Sequence, residues 1–431
     1  MSSQEPAVSG VPLLSRLGEL ASSRYLLSVG AQALVSAFHF GLNYLLLQRM
    51  SLFDYGVFAF AFFTLAQFAA AVNNALISTP LTVYTPTLRD ENERARKEAM
   101  FSLLNILLFL LLIIVGIAYM WQTELASSLV LSVTLFVALY AARQYSRSLG
   151  YARLRPQVTA TGDTCYVLAG LVFTAVLVWQ FKDLTVEWVL LALSGANLVA
   201  MIVERLRLDG RWWRGYSFKQ LLHYKEIWLQ SRWALIGALT TLLLAQAHSL
   251  IITWAKGPTA FAPLAAGFVL FGPVRVALIT WQNMVKPEMA VALSEQRNDA
   301  VSSQIKRTLT MMGIAVILLG IGLMVMWPLV NEFLYAKKYS DQPMRQIVLM
   351  WAAITFFAAI YNAPAAALQA LKDFRVLAMS SVYGALISAV MVSVLLYFTA
   401  PEHTLLGIMA AEAFMAVYLL SIVFQRLKAT P

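Results

Sequence analysis

The feature that most constrains this sequence is a series of apolar stretches, each about 18 to 23 residues long, repeated along its whole length. A helix of about 20 residues crosses the hydrocarbon core of a bilayer, so each stretch predicts a spanning helix. We predict twelve spans, at 25–47, 57–77, 99–119, 125–142, 157–179, 186–203, 233–254, 264–283, 308–329, 347–368, 376–398 and 404–424. With 60% hydrophobic and 13% charged residues, the chain has no room for a soluble catalytic domain.

The basic residues in the connections predict the orientation of the spans. Counted alternately, the tails and loops on the side of the chain termini carry 24 Lys and Arg residues, and those on the other side carry six. Basic residues are retained in the cytoplasm, so both termini are predicted to be cytoplasmic. The net charge of +10 therefore reflects topology and contact with membrane lipids, and no nucleic-acid partner is expected.

Several classes of site are not expected in this chain. The single cysteine, Cys165, lies within a predicted span, which excludes a disulfide framework, a zinc cluster and a cysteine redox pair. The polar beginning has no apolar core of a signal peptide. No phosphate-binding G-x-x-x-x-G-K-[ST] segment occurs, so ATP hydrolysis is not expected. We predict no metal and no cofactor.

The two halves of the sequence resemble each other. At an offset of 208, Gln67 and Asn74 fall on Arg275 and Gln282, and with one further residue His39 falls on His248. Six spans per half make the two halves parallel repeats about an axis along the membrane normal, and such transporters usually bind substrate between the halves. The predicted units are an N-terminal segment (1–24), a first six-helix bundle (25–203), a basic amphipathic linker with Trp212 and Trp213 (204–232), a second bundle (233–424) and a tail (425–431).

Polar residues in the first span lie on one helix face, because they recur at steps of three and four: Ser28, Gln32, Ser36, His39 and Asn43. A buried polar group without a partner is costly, so this face must meet another helix or a water-filled cavity. We expect Ser28 and Ser36 to form helix contacts. The residues expected to line a central cavity are Gln32, His39, Asn43, Gln67, Asn74, His248 and Gln282. For the two histidines, proton relay and simple packing both remain open.

A second polar face, in the eighth span, carries Arg275, Gln282 and Lys286. An arginine as deep as Arg275 costs about 2.5 to 3.5 kcal/mol on insertion scales, so it needs an anionic partner. That partner is either a deep carboxylate, Asp163 or Glu412, or an anionic ligand. We predict the ligand and keep the two carboxylates as candidates for ion coupling.

Three more arginines extend this cationic set. Arg24 and Arg232 enter the first span of each half at equivalent positions, and Arg49 stands where the first span ends. Together with Arg275 and Lys286 they predict a cationic path, although Lys286 could instead reach the membrane interface. Guanidinium groups suit phosphate oxygens through paired hydrogen bonds.

The segment RMSLFDYGVFAFAFF, from Arg49 to Phe63, resembles the first outward turn of the Wzx-like polysaccharide transport flippases. These belong to the multidrug, oligosaccharidyl-lipid and polysaccharide exporter superfamily. The shared pattern is a basic residue, a small residue and an aromatic-glycine pair, here Arg49, Ser51 and Tyr55-Gly56; Ser51 replaces the commoner glycine. Lys286-Pro287 is similar to the family's proline-containing exit from helix 8.

The resemblance implies an all-α membrane protein that moves a polyprenyl-pyrophosphate-linked oligosaccharide from the cytoplasmic to the outer leaflet of the bacterial inner membrane. O-antigen, capsule or exopolysaccharide assembly would follow, with a downstream polysaccharide polymerase as partner. The resemblance assigns pyrophosphate binding to Arg275, with the other four basic residues as further candidates. The alternatives are a proton- or sodium-coupled multidrug exporter of the same superfamily, the fourteen-helix lipid II flippase branch, a major facilitator and a membrane polysaccharide polymerase.

Overall fold

The computed structural model describes residues 24–86, 88, 90–208, 218–335, 338–371 and 373–429. Across these ranges the chain is helical apart from short connections and contains no strand. The predicted N-terminal segment before residue 24, the linker residues Trp212 and Trp213, and the side chains of Arg24 and Ser28 lie outside the described residues.

Thirteen long helices occur in the described ranges, six before the linker and seven after it. The first six are α1 (Arg24–Arg49), α2 (Leu52–Tyr84), α3 (Glu91–Met120), α4 (Ser127–Ala152), α5 (Pro156–Gln180) and α6 (Val186–Arg207). The next seven are α7 (Tyr224–Lys256), α8 (Pro258–Val269), α9 (Gly272–Ser294), α10 (Asn298–Val325), α11 (Met344–Ala370), α12 (Phe374–Phe398) and α13 (Leu405–Ala429). Single helical turns at Phe218–His223, Trp327–Val330, Asn331–Tyr335 and Pro401–Thr404 lie in the connections.

Ten of these helices are long and apolar enough to cross a membrane. The two further spans that the sequence predicts correspond to α1 and to the pair α8 and α9. α8 has only 12 residues, and it is followed by α9 (Gly272–Ser294). The all-α membrane fold is confirmed.

The eighth span is not the single helix predicted at 264–283. The structure breaks it between Val269 and Gly272, so that α8 and α9 are separate helices. Pro273 explains the break, since a proline has no N–H to donate and its ring would clash with the carbonyl of Val269 four residues earlier. Arg275 consequently lies in the first turn of α9.

The fourth span is longer than predicted. Its expected range ends at residue 142, but α4 continues to Ala152 and therefore carries Arg143 and Arg147 within the helix. Both arginines had been counted as loop residues in the charge comparison. Without them the bias is still 22 against six, so the predicted orientation is unchanged.

The helix bounds agree with a duplicated chain. Adding 208 to the bounds of α1, α2 and α3 gives 232–257, 260–292 and 299–328. These ranges fall on α7, on α8 with α9, and on α10. The same helix order in both halves makes α2 the counterpart of the broken pair. α6 and α7 both extend into the predicted linker, to Arg207 and from Tyr224.

Contacts between helices place the two halves side by side. Within the first half, α4, α5 and α6 pack on one another, α1 packs on α5 and α3 packs on α4. Within the second half, α11 packs on α9, α10 and α13, while α12 packs on α7 and α13. The halves meet mainly where α2 contacts α7 and α8. By contrast, α1 and α9 touch only briefly. Gln32 of α1 and Arg275 of α9 are both exposed, and we call the region between these two helices the opening.

The halves are joined most closely at the face opposite the chain termini, which we call the outward face. A Cβ on Gly56 of α2 would lie 2.1 Å from the backbone oxygen of Pro258, the first residue of α8. The Gln48 amide donates to the backbone oxygen of Phe333 at 2.6 Å, and the Lys338 amine donates to that of Met50 at 2.5 Å. The aromatic-glycine pair of the sequence motif is thus a point of backbone contact between the halves.

We predict that Gly56→Ala opens the outward face. The added methyl group cannot fit against the Pro258 backbone, and overpacking of this kind costs about 1–3 kcal/mol, enough to shift a conformational equilibrium about tenfold. The measurement is labelling of an Ala59→Cys reporter, in a Cys165→Ser background, by a membrane-impermeant maleimide added outside. Ala59 is fully buried beside this contact, so labelling should rise about tenfold.

The matched control is Gly41→Ala on α1, where a Cβ would meet nothing within 4 Å. It should leave the labelling rate at that of the reporter alone. Equal labelling in Gly56→Ala and Gly41→Ala would contradict the assignment of Gly56 to the closed outward contact.

Candidate functional site

A buried carboxylate shared by two arginines lies in the first half, near the face of the chain termini. Asp163 of α5 is 1% exposed. Its Oδ1 accepts a hydrogen bond from Arg143 Nη2 at 2.6 Å, and its Oδ2 accepts one from Arg147 Nη2 at 3.0 Å. The Arg147 Nε atom also lies 3.0 Å from Oδ1. Asp163 therefore fixes both guanidinium groups at one point.

Helix geometry brings these three residues together. Arg143 and Arg147 are four residues apart on α4, so they project from one face, one turn above the other. Asp163 is seven residues from the start of α5, about 10 Å along the helix axis. Because α4 and α5 are antiparallel neighbours joined by a short turn, their facing turns hold opposite charges at the same depth.

Further groups surround Arg143 and complete its environment. The ring of Tyr166 lies 4.0 Å from its guanidinium carbon, and Asn197 Oδ1 accepts from Nη1 at 3.4 Å. Glu204 of α6 is fully buried in the same region. A Cβ on Gly162 would come within 2.6 Å of three Glu204 side-chain atoms, so only glycine leaves room for that carboxylate.

Arg147 differs from Arg143 in that it reaches an opening. Its side chain is 22% exposed, against 5% for Arg143. Its Nη2 also donates to Gln32 Oε1 at 3.1 Å, and Gln32 is exposed on α1. Gln32 and Arg147 thus form a polar contact between α1 and α4 beside the opening.

An aromatic layer closes the space between the halves on the outward side of this opening. Phe63 of α2 and Phe268 of α8 meet edge to face at 5.4 Å, and Trp351 of α11 lies 4.8 Å from Phe268. The Trp351 indole donates to the Leu264 backbone at 2.8 Å, which fixes its ring. These rings pack between the Gly56–Pro258 contact and Arg275.

Arg275 lies directly beside this aromatic layer. Its guanidinium carbon is 4.8 Å from the centre of the Phe268 ring, and the side chain is exposed. Glu412 of α13 is buried at 6% exposure and interacts electrostatically with Arg275 and with Tyr361 of α11. Among the described residues Glu412 Oε2 has no hydrogen-bond partner, and no ion pair within 4 Å joins Glu412 to Arg275 there. Asp163, the other proposed partner of Arg275, is held by Arg143 and Arg147 instead.

The remaining polar residues of α1 face protein rather than the opening. His39 Nε2 lies 2.9 Å from the Tyr166 hydroxyl, with the ring edge-on to Phe62 at 4.9 Å. Asn43 is 3% exposed; its amide donates to the His39 backbone and its oxygen accepts from Tyr55. In this conformation His39 connects α1 to α5 and Asn43 connects α1 to α2 through these hydrogen bonds.

The histidine at the repeat-related position is also packed among rings. His248 is 3% exposed, with Phe261 at 5.8 Å and Trp351 at 5.6 Å. Gln67 donates to the Tyr140 hydroxyl at 3.1 Å within the first half. Neither side chain lines the opening between α1 and α9 in this conformation.

The other predicted site residues are dispersed. Arg49 donates to the Lys182 backbone oxygen at 3.0 Å on the outward face. Arg232 is exposed and lies 5.6 Å from the Trp233 ring. Asn74 is exposed on α2, and Gln282 and Lys286 are half-buried on α9. The structure thus links Gln32 to Asp163 through Arg147 and places Arg275 near Glu412. The other predicted cations lie apart from these two groups.

Three charged residues of this region were missed by sequence reasoning: Arg143, Arg147 and Glu204. Each lies at the end of an apolar stretch, where charge looks like the start of a loop. A usable signal was present, because Arg143 and Arg147 are one helical turn apart and Ser146 and Gly150 continue a helical pattern before the next proline.

The fold is shared with known transporters. The chain is similar to an inward-facing conformation of a multidrug resistance MATE family transporter of the MOP superfamily, with a TM-score of 0.71 and 11% identity over 92% of this chain and 95% of that one. An outward-facing conformation of a MATE family transporter gives a TM-score of 0.59 and 13% identity over 94% of each chain. The lipid II flippase MurJ in an inward closed conformation gives 0.70 and 12%, over 93% of this chain and 87% of that one.

No family model matches the sequence, and a comparison with curated proteins finds no match. At these identities the similarity shows the fold alone. The chain is a multi-pass membrane protein with the fold of MOP-superfamily transporters.

We predict that Asp163→Asn strongly destabilises the protein. Removing one partner of a buried ion pair costs about 3–5 kcal/mol, because the remaining charge has no counter-ion. Here two guanidinium groups lose their shared carboxylate. The measurement is the Tm of the purified protein in detergent, which should fall by several degrees.

Glu93→Gln is the matched control, because Glu93 pairs with Lys97 on the surface of α3 with both side chains at least 35% exposed. Such pairs contribute about 0–1 kcal/mol, so the Tm should hardly change. A similar Tm for the two variants would contradict the structural importance of the Asp163 cluster.

Proposed function

We propose that this protein is a flippase of the Wzx-like type, which moves a polyprenyl-pyrophosphate-linked oligosaccharide from the cytoplasmic to the outer leaflet. The substrate is a repeat unit for O-antigen, capsule or exopolysaccharide, and the membrane is the bacterial inner membrane. The protein is a transporter and not an enzyme, and a polysaccharide polymerase takes over the delivered unit.

The observation that supports an anionic substrate is the charge balance beside the opening. Asp163 is matched by two arginines, and Glu412 has Arg275 as its neighbour. A cationic substrate would therefore meet a carboxylate that already has a counter-ion. The Arg147 side chain, in contrast, is 22% exposed, and the Arg275 side chain is exposed. A pyrophosphate offers such groups several oxygens for paired hydrogen bonds.

The opening between α1 and α9 suits a lipid-linked molecule. α1 packs mainly on α5, and α9 packs mainly on α10 and α11, so little protein separates the interior from the bilayer at this side. A polyprenyl tail can stay in lipid while the sugar head enters through such a lateral opening. The head cannot cross hydrocarbon unaided, because each unpaired hydroxyl and charge would lose its hydration.

Specific residues receive roles in this proposal. Arg275 holds the pyrophosphate below the aromatic layer, and Arg147 is a second contact that the sequence alone did not suggest. Gln32 offers a hydrogen bond to the sugar or phosphate and moves with α1. The more distant cations, Arg24, Arg232, Lys286 and Arg49, attract the anion along the path. Asp163 serves as the internal counter-ion that keeps Arg147 in place when no substrate is bound.

Multidrug export is the second candidate, because the fold is shared with MATE transporters. Asp163 and Glu412 would then be the groups that exchange a proton or sodium ion for a cationic drug. The arginines beside both carboxylates count against this assignment.

The proposal is tested in cells that lack the protein but retain the polymer pathway. A polyprenyl-pyrophosphate oligosaccharide should accumulate in lipid extracts. In sealed right-side-out vesicles it should be inaccessible to a membrane-impermeant glycan reagent. Wild type should restore export, whereas Arg275→Ala and Arg147→Ala, expressed at normal levels, should each reduce it about tenfold, as expected for losing a charge-assisted contact of about 1.5–3 kcal/mol.

Arg297→Ala is the control, since Arg297 pairs with Glu295 on the surface and lies outside the opening. It should export at the wild-type rate. Full export by Arg275→Ala would refute the assignment of pyrophosphate binding, and accumulation in the outer leaflet would favour a polymerase.

The same deletion strain distinguishes the multidrug alternative. We expect its sensitivity to cationic drugs to equal that of the parent strain, because Asp163 is held by two arginines and the exposed Arg275 would repel a cation. A drug-sensitive strain with normal polymer export, complemented by wild type but not by Glu412→Gln, would replace the flippase proposal with multidrug export.

A further inference from the structure

A cavity of about 350 Å³ lies at the outward face of the second half. Three separate connections form it: the end of α7 with the start of α8, the segment before α11, and the helical turn Pro401–Thr404 before α13. Its polar lining consists of Lys256, Thr259, Gln342 and Glu402. Its floor is apolar and includes Leu264 and Ile347, each 1% exposed.

The cavity contains one cation and one anion that do not pair with each other. Lys256 and Glu402 both line it, and neither of these described side chains forms an ion pair within 4 Å. A ligand that carries both charges can pair with Lys256 and with Glu402 at the same time. A zwitterion with an anionic group for Lys256 and a cationic group for Glu402 fits this arrangement.

The position of the cavity indicates where such a zwitterion comes from. Trp254 precedes Lys256 by two residues and is 90% exposed, and Tyr397 and Phe398, just before Pro401, are 83% and 75% exposed. Tryptophan and tyrosine collect at the membrane interface, where their rings lie among lipid headgroups. The cavity therefore opens at headgroup depth, next to lipid.

We propose that this cavity binds the headgroup of a phospholipid that carries phosphate and a primary amine, phosphoethanolamine, from the outer leaflet. Lys256 binds the phosphate and Glu402 accepts hydrogen bonds from the ammonium group. A trimethylated choline has no N–H to donate to Glu402, and a glycerol headgroup has no positive charge, so both bind more weakly.

The proposal gives this lipid a structural position. The headgroup bridges three connections of the second half, including Thr259 at the start of α8. The neighbouring Pro258 is the residue that meets Gly56 across the closed outward face. Bound lipid therefore stabilises the end of the second half that contacts the first. This inference does not depend on the identity of the transported substrate.

The test measures binding of short-chain phosphatidylethanolamine to the delipidated full-length protein in detergent, by native mass spectrometry and by titration. Phosphatidylcholine and phosphatidylglycerol with the same acyl chains serve as the competing probes. We expect phosphatidylethanolamine to bind about tenfold more tightly than either, since each competitor lacks one charge-assisted hydrogen-bonding partner. Lys256→Gln and Glu402→Gln should each remove this preference.

The control variant is Lys182→Gln. The exposed Lys182 side chain lies on the outward face of the first half, outside the cavity. It should bind as wild type. Equal affinity for the three lipids, or an unchanged preference in both cavity variants, would overturn the proposal. Free phosphoethanolamine that binds as tightly as the lipid would overturn the assignment to a membrane lipid and indicate a soluble zwitterion instead.

Discussion

The structure of the first half depends on the requirement that charge buried in a membrane protein be matched within the protein. Asp163 meets this requirement by binding Arg143 and Arg147 together. The pairing joins α4 to α5, and Arg147 extends it to α1 through Gln32. Hydrocarbon offers these charged groups no hydration. The helix faces that carry them must therefore pack against one another. The apolar contacts then fill the space around the charged groups.

The two halves satisfy the same requirement in different ways. In the first half the carboxylate binds its arginines directly and is sealed from the opening. In the second half Arg275 remains exposed beside Phe268, and among the described residues Glu412 Oε2 accepts no hydrogen bond. A duplicated fold therefore presents one closed and one open cationic site. In the proposed function, this difference lets one half hold its helices together while the other offers a guanidinium to an anionic ligand.

Closure of the outward face follows from backbone contact more than from charge. Gly56 and Pro258 meet without a side chain between them, and the aromatic layer of Phe63, Phe268 and Trp351 lies on the inner side of this contact. The break before Pro273 separates α8, which takes part in closure, from α9, which carries Arg275. The opening and the closed face thus belong to two helices that the sequence presents as one span.

The sequence by itself determined the membrane class and the approximate number and order of the spans, because apolar length acts locally along the chain. It also predicted the orientation and the polar faces of α1 and α9. It also marked Asp163 and Glu412 as the deep carboxylates. It did not reveal that Arg143 and Glu204 are buried or that Arg147 lies within a helix, since a charge at the end of an apolar stretch looks the same whether the helix stops or continues. Only the tertiary structure decided which arginine meets which carboxylate, and that His39 and Asn43 face protein. Those outcomes depend on distances between helices, which are set by packing across the whole bundle and leave no periodic trace in the sequence.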